Sequence, residues 1–364
     1  MNTIKVEFYK HNIDEADIAR ASEVMRQPFL TSGKVVEEFE NKLAKYLGVN
    51  YVVAVSSCTA ALHLALLALG IGVGMKVATT PMTFMASSNA ILYTGATPVF
   101  VDVDRYTGLM EVAQIPSNVD GVLPVYLYGQ MCDILEMNQW SFSRGMALLE
   151  DAAHSLMFGI GRESDGACVS FYPTKEITSG DGGAFATNNG ELAEKVRLMR
   201  NHGMTKDAHK RYDKPYQHWD MERLGYNYRM SNIQAALLLG QLDRIDELRQ
   251  RRALIWDVYE SVFRSNPKIG LIKTDASSAK LMFTILVEKR DKVLHELQDR
   301  GVGVAVNYRA VHLLDYYRKR FGYKEGDFPN AEHIGNHTLT LPLYPKLTDL
   351  EVEYVIKKVH EVVK

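Results

Sequence analysis

The chain has 364 residues, 46% of them hydrophobic and 24% charged, with 42 Lys and Arg against 44 Asp and Glu for a formal net charge of -2. These are the proportions of a globular protein, and they exclude disorder, collagen and other fibrous folds. Charge is spread without a run of one sign, so no polyanion-binding surface and no nucleic-acid partner is expected.

At about 100–200 residues per domain the length allows two or three domains. The N-terminal stretch MNTIKVEFYKHNIDEADI lacks a positive segment followed by an apolar core, so no secretory signal is expected and a cytoplasmic location is. Residues 12–46 carry helical spacing, broken at Pro28 and again at Thr31-Ser32-Gly33, where turn chemistry ends one helix and starts another. Strands then alternate with helices: 51–56 and 76–80 are strand-like, 59–69 and 85–93 helical. The apolar run 60–74 contains His63 and three glycines and falls short of the roughly 20 residues that span a bilayer, so it is expected to be a buried helix and no membrane partner is expected. Further strands are expected at 98–103, 121–128, 146–150, 167–172 and 184–187, seven in all. This alternation predicts an α/β fold with a mostly parallel sheet covered on both faces.

Helical spacing returns at 191–201 and over one long stretch, 231–263, that links two domains. Beyond it, strands at 279–287 and 302–306 with helices at 292–299 and 349–363 predict a smaller α+β domain, dividing the chain into 1–240 and 241–364. Cys58, Cys132 and Cys168 are scattered, without CxxC spacing, and are expected to be free thiols of a reducing compartment.

Ligands of open α/β sheets bind where the carboxyl ends of strands meet helix N-termini. Four such places carry chemistry. Ser56-Ser57-Cys58-Thr59-Ala60 offers small residues and a helix start, suited to a phosphate; a plain helix N-cap would use the same residues. Glu150-Asp151-Ala152-Ala153-His154 brings a carboxylate out of an apolar strand, where it needs a partner such as a pyridinium or a metal, or else caps the next helix. No second ligand stands at zinc spacing, so a metal ranks lower. In SFYPTKEITSGDGGAF, Lys175 follows a strand beside a glycine-dense loop, the setting of an amine nucleophile or of a solvated loop lysine. The fourth, GYNYRMS, is an aromatic and polar cluster leading into the long helix. Together, a phosphate cradle, a carboxylate for a protonated ring nitrogen and a lysine for an imine are what pyridoxal phosphate requires.

With FLTSG, TTPMTFMASSNAILYTGATPVFVDVD, LPVYLYGQ, EDAAHS, SFYPTKEITSGDGG, LGYNYRMSNIQAALLLGQL and the C-terminal YRAVHLLDYYRKRFGY, the chain resembles the DegT/DnrJ/EryC1/StrS family of sugar aminotransferases over nearly its whole length. The resemblance implies the type I fold of pyridoxal-phosphate-dependent transferases, with a large cofactor-binding domain and a small C-terminal one. It implies that Lys175 holds the cofactor covalently and moves the proton, that Asp151 keeps the ring nitrogen protonated, that His154 lies by the ring oxygen, and that Phe84 stacks on the ring. Cys58, Thr59 and Ser170 would hold the phosphate, joined by Asn227 from a second subunit of a homodimer with shared sites. Thr31, Tyr308 and His312 would line the sugar pocket, and Arg229 would meet the donor's carboxylate or serve structure. Cys58 stands where many relatives have Gly, and Asp181 replaces the usual Glu of that loop. The implied reaction moves the amino group of L-glutamate to a nucleotide-linked 4-keto-6-deoxy sugar, at C4 or at C3; the family's dehydratase branch, with His in place of the lysine, is disfavoured by Lys175. YRAVH and HGMTKD resemble C4 enzymes acting on UDP-sugars.

Overall fold

The computed structural model describes residues 4–205 and 218–364. Two helices open the fold, α1 (Glu15–Met25) and α2 (Lys34–Leu47), separated at the expected break. A capping box starts α1: Asp14 accepts from the amide of Asp17, whose side chain returns the bond. Gly48, at φ 75°, ends α2, and a Cβ there would meet the Phe158 ring at 2.4 Å.

All seven expected strands form: β1 (Tyr51–Val55), β2 (Lys76–Thr79), β3 (Thr97–Phe100), β4 (Gly121–Leu123), β5 (Ala147–Asp151), β6 (Gly166–Ser170) and β7 (Gly183–Thr187). Between them run α3 (Cys58–Ala68), α4 (Ala86–Tyr93) and α5 (Ile134–Phe142). They make one sheet in the order β1-β7-β6-β5-β4-β2-β3, in which β7 alone runs against its neighbours. β4 stops short of its expected end because Pro124 has no amide for the ladder and a 3-10 turn follows at Leu127–Gly129. Apolar side chains cover both faces, one cluster holding Phe39, Leu43 and Tyr126, the other the α3 residues Leu62, Leu64 and Leu66.

The reversal of β7 positions the site. Val55 pairs with Gly183, Gly183 with Ser170, and Cys168 with Asp151, so the ends of β1, β5 and β6 and the start of β7 share one edge. The chain from 171 to 182 must turn back over that edge. Gly183 passes so close to α3 that a Cβ would lie 2.3 Å from the Cys58 amide, which explains why the loop ends in glycine.

After α6 (Gly190–Met199), the expected single helix is two, α7 (Asn232–Asp243) and α8 (Ile245–Phe263). Arg244 leaves helical geometry at φ -108°, ψ 19°, and its guanidinium turns back to Asp17 and the carbonyl of Asn12. The C-terminal part of the chain holds a second sheet in the order β10 (Thr338–Leu341), β9 (Phe283–Leu286), β8 (Gly270–Leu271), with α9 (Arg290–Asp299), α10 (Asp315–Phe321), α11 (Pro329–His337) and α12 (Asp349–Val362). The expected strand 302–306 is reduced to single bridges, Val302 to Val6 and Ala305 to Thr340. Gly303 there lies against the first residues of the chain, a Cβ on it falling 2.4 Å from the Phe8 amide. Val6 accordingly packs in one hydrophobic cluster with Tyr259 and Phe283, residues that lie beyond the expected cut at residue 240. Lys206 and Asp207 of HGMTKD lie outside the described residues. Among the described residues no helix is long and apolar enough to cross a membrane.

Candidate active site

The edge where β1, β5, β6 and β7 meet floors a cleft of about 550 Å3, lined also by Met282, Asn307 and Tyr308 from the C-terminal part of the chain. Cys58 and Thr59 enter it from the first turn of α3. Ser57 caps that helix by accepting from the Ala60 amide at 3.1 Å, while the amides of Cys58 and Thr59 have no acceptor among the described residues. Free amides at the positive end of a helix suit an anion. Ser170 lines the cleft beside them.

Asp151 ends β5 with 3% of its surface exposed. One carboxylate oxygen accepts from the Ser87 hydroxyl at 2.7 Å, the other from the Ala153 amide at 3.1 Å. Burial raises its proton affinity, and these two donors with the Lys175 charge oppose the rise. Thr83 stands 2.9 Å from the Ser87 hydroxyl. Because Ser87 gives its proton to Asp151, Thr83 donates to Ser87, and the carboxylate is held by a short chain of hydroxyls.

Lys175 is buried in the loop that turns back from β6, its amide bonded to the carbonyl of Tyr172 at 3.0 Å. Desolvation lowers its pKa from 10.5 to about 8, against the pull of Cys58, Glu176 and Asp151. A neutral amine is therefore within reach near neutral pH, the condition for attack on a carbonyl carbon. The Cys58 thiol is pushed up by burial and by Asp151, so it is a poor nucleophile.

His154 accepts from the Tyr128 amide at Nδ1, 3.3 Å, and lies 3.0 Å from the Tyr308 hydroxyl at Nε2. Burial holds the ring neutral. With Nδ1 occupied as an acceptor, Nε2 carries the hydrogen and donates to Tyr308. Phe84 is half exposed on the cleft wall, its ring centroid 5.7 Å from that of Tyr308.

A group bearing a phosphate, a ring nitrogen to be kept protonated and an aldehyde fits these donors: unfilled amides at a helix start, an oriented carboxylate and a buried amine of lowered pKa. The model of the DegT/DnrJ/EryC1/StrS aminotransferase family matches residues 11–360. The chain belongs to that family. It is 38% identical to the spore coat polysaccharide biosynthesis protein SpsC of Bacillus subtilis, over 97% of this chain and 95% of that one. It is 31% identical to the UDP-4-amino-4,6-dideoxy-N-acetyl-beta-L-altrosamine transaminase of Campylobacter jejuni, over 95% of each. The structure of Spr1654 from Streptococcus pneumoniae in its PMP form superposes with a TM-score of 0.91 at 29% identity, covering 98% of this chain and 99% of that one. The protein is thus a sugar aminotransferase dependent on pyridoxal phosphate.

Within this aminotransferase, Cys58, Thr59, Phe84, Asp151 and His154 share the cleft with Ser170, Lys175 and Tyr308. Four expected residues stand elsewhere. His312, expected at the sugar pocket, is wholly buried and bonded to Glu332 at 3.0 Å, so no ligand can touch it. Thr31 is exposed on the loop before α2, outside the cleft of its own chain. Arg229 bonds the Asn201 side chain at 2.6 Å, and Asn227 is exposed, its backbone paired with Asn201; neither lines this cleft. Ser87, Thr83, Tyr128, Phe8 and Tyr9 carry parts of the site that the sequence did not single out. Ser87 and Thr83 lie inside the stretch TTPMTFMASS, but only the fold aims the Ser87 hydroxyl at Asp151 and that of Thr83 at Ser87.

Proposed function

We propose that this enzyme transfers the amino group of L-glutamate to the C4 keto carbon of a nucleotide-linked 4-keto-6-deoxy sugar, for cell-surface glycan synthesis. The observation that carries this reading is the meeting of Lys175, Asp151 and the open amides of α3 in one cleft. Pyridoxal phosphate, when bound, carries the amino group between the two substrates and draws electrons from the carbon that loses a proton. The chain's residues supply the rest. Cys58, Thr59 and Ser170 hold the anionic end. Asp151, fixed by Ser87 and Ala153, would favour the protonated form of the ring nitrogen. Lys175, with a pKa of about 8, takes a proton as base and returns it as acid in the same turnover.

Support for C4 comes from the Campylobacter relative, whose name specifies a UDP-linked 4-amino sugar. The exposed Asn227, which does not line its own cleft, supports a homodimer in which it serves the partner's phosphate. The decisive experiment is the visible spectrum of the cofactor-loaded protein before and after L-glutamate, followed by turnover on UDP-, dTDP- and GDP-linked keto-sugars with the amine placed by NMR. Loss of the lysine-bound band with glutamate, then 4-amino product, is expected. A band indifferent to glutamate, or a 3-amino or deoxygenated product, overturns the reading. Mixing Lys175→Ala with Asn227→Ala chains tests the shared site: hybrid dimers with one intact site should regain activity that neither parent has.

A further inference from the structure

The first residues of the chain form a strap that crosses the cleft. Val6 donates to the carbonyl of Gly301 and accepts from the amide of Gly303, both at 2.8 Å, and glycines at those positions allow the close approach. Past the cleft, Lys10 pairs with Glu351 at 3.1 Å, and the Asn12 side chain donates to the carbonyl of Glu176, the residue after Lys175, at 3.3 Å. Between these anchors Phe8 and Tyr9 line the cleft. Their rings meet edge to face, centroids 6.5 Å apart at 83°, and Tyr9 is 42% exposed.

A large aromatic ring held open to solvent by anchors on both sides is not accounted for by packing. Its chemistry narrows what it can bind. The donor's carboxylates call for cations, and Lys175 is the only lysine or arginine among the described residues lining the cleft. The strap's rings offer flat apolar faces instead, which suit a heteroaromatic ring. The acceptor's keto carbon must come within reach of Lys175, which would return the proton there, so the rest of that molecule extends toward the mouth.

We propose that Tyr9, braced by Phe8, is a specificity residue that stacks on the nucleobase of the acceptor sugar. This rests on the nucleotide-sugar reading above. The strap is pre-organised, so the aromatic face is in place before the ligand arrives.

The test separates the two half-reactions. Tyr9→Ala should raise KM for the accepted nucleotide keto-sugar by about 5- to 150-fold, the range that base–aromatic stacking spans on alanine substitution. It should weaken competitive inhibition by the matching free nucleoside diphosphate by the same factor, and leave the rate of the glutamate half-reaction unchanged. Tyr9→Phe keeps the ring and should stay close to wild type in all three. The inference falls if Tyr9→Ala leaves the acceptor KM unchanged, if the glutamate step falls in parallel, if Tyr9→Phe is as impaired as Tyr9→Ala, or if none of UDP, dTDP and GDP inhibits the wild type. Its failure is distinct from failure of the broader reading, in which the wild type would aminate no nucleotide-linked keto-sugar.

Discussion

Glu150 and Asp151 are neighbours on β5, both almost fully buried, and both have proton affinities raised by desolvation, Glu150 to about 7. They point to opposite faces of the sheet. Glu150 is enclosed by donors of its own chain: the Tyr126 hydroxyl at 2.8 Å, the Ser164 hydroxyl at 2.5 Å and the Gly161 amide at 3.2 Å. Asp151 has two donors and a cleft. Burial and a shifted pKa are thus common to a carboxylate enclosed by its own chain and one that opens on the cleft, and the open side distinguishes them.

Substitutions can break this contrast. Lys175→Ala, facing the cleft with Asp151, should lower turnover by at least about 10⁴-fold, the upper end of what general acid–base catalysis alone contributes; steady-state assay at saturating substrates checks it, and a rate near wild type would remove Lys175 from its role. Asp151→Asn should cost on the order of 10²–10³ in kcat while the thermal midpoint moves little, since a preorganised charge is lost without loss of volume. An unchanged kcat would mean that another group serves the ring nitrogen. Ser87→Ala should cost about tenfold, from one hydrogen bond to a charged group. Ser87 lowers the pKa of Asp151, so its removal should also move the acid limb of the kcat profile to higher pH. A lowered rate with an unmoved limb would reduce Ser87 to packing.

Across the sheet, Glu150→Gln should change kcat by no more than about threefold, and its signature should be in stability. The folded pKa of about 7 lies above the unfolded 4.5. The contribution is therefore fully present below pH 4.5 and lost as pH rises through 7, on the order of 3 kcal/mol by linkage. Urea midpoints measured across this window should fall with pH in the wild type more steeply than in Glu150→Gln. Parallel slopes would mean that the carboxyl stays ionised throughout.

How much of this was legible in the sequence follows from how local each signal is. The seven strands were, because alternation with helices is a local pattern. The positions of Lys175 and Asp151 were, because one follows β6 and the other ends β5, each within a recognisable run of residues. The hydroxyl that orients Asp151 was not: Ser87 is 64 positions away and only the parallel pairing of β2, β4 and β5 brings α4 over the end of β5. The break between α7 and α8 was hidden for a similar reason, since Arg244 is an ordinary helix former until Asp17 draws its guanidinium away. His312 misled in the opposite sense, a polar residue in a family motif that is spent on Glu332 in the C-terminal part of the chain.

The pairing of Val6 with Val302 sets an order on biosynthesis. A ribosome releases the segment bearing Phe8 and Tyr9 well before its docking groove, which exists only after roughly 300 further residues have emerged and folded. The large sheet, whose strands all lie between 51 and 187, can assemble in the meantime. One wall of the cleft is thus built after the rest of the site, and a nascent chain that already holds Lys175 in place remains open on the strap's side until the residues around Val302 have been made.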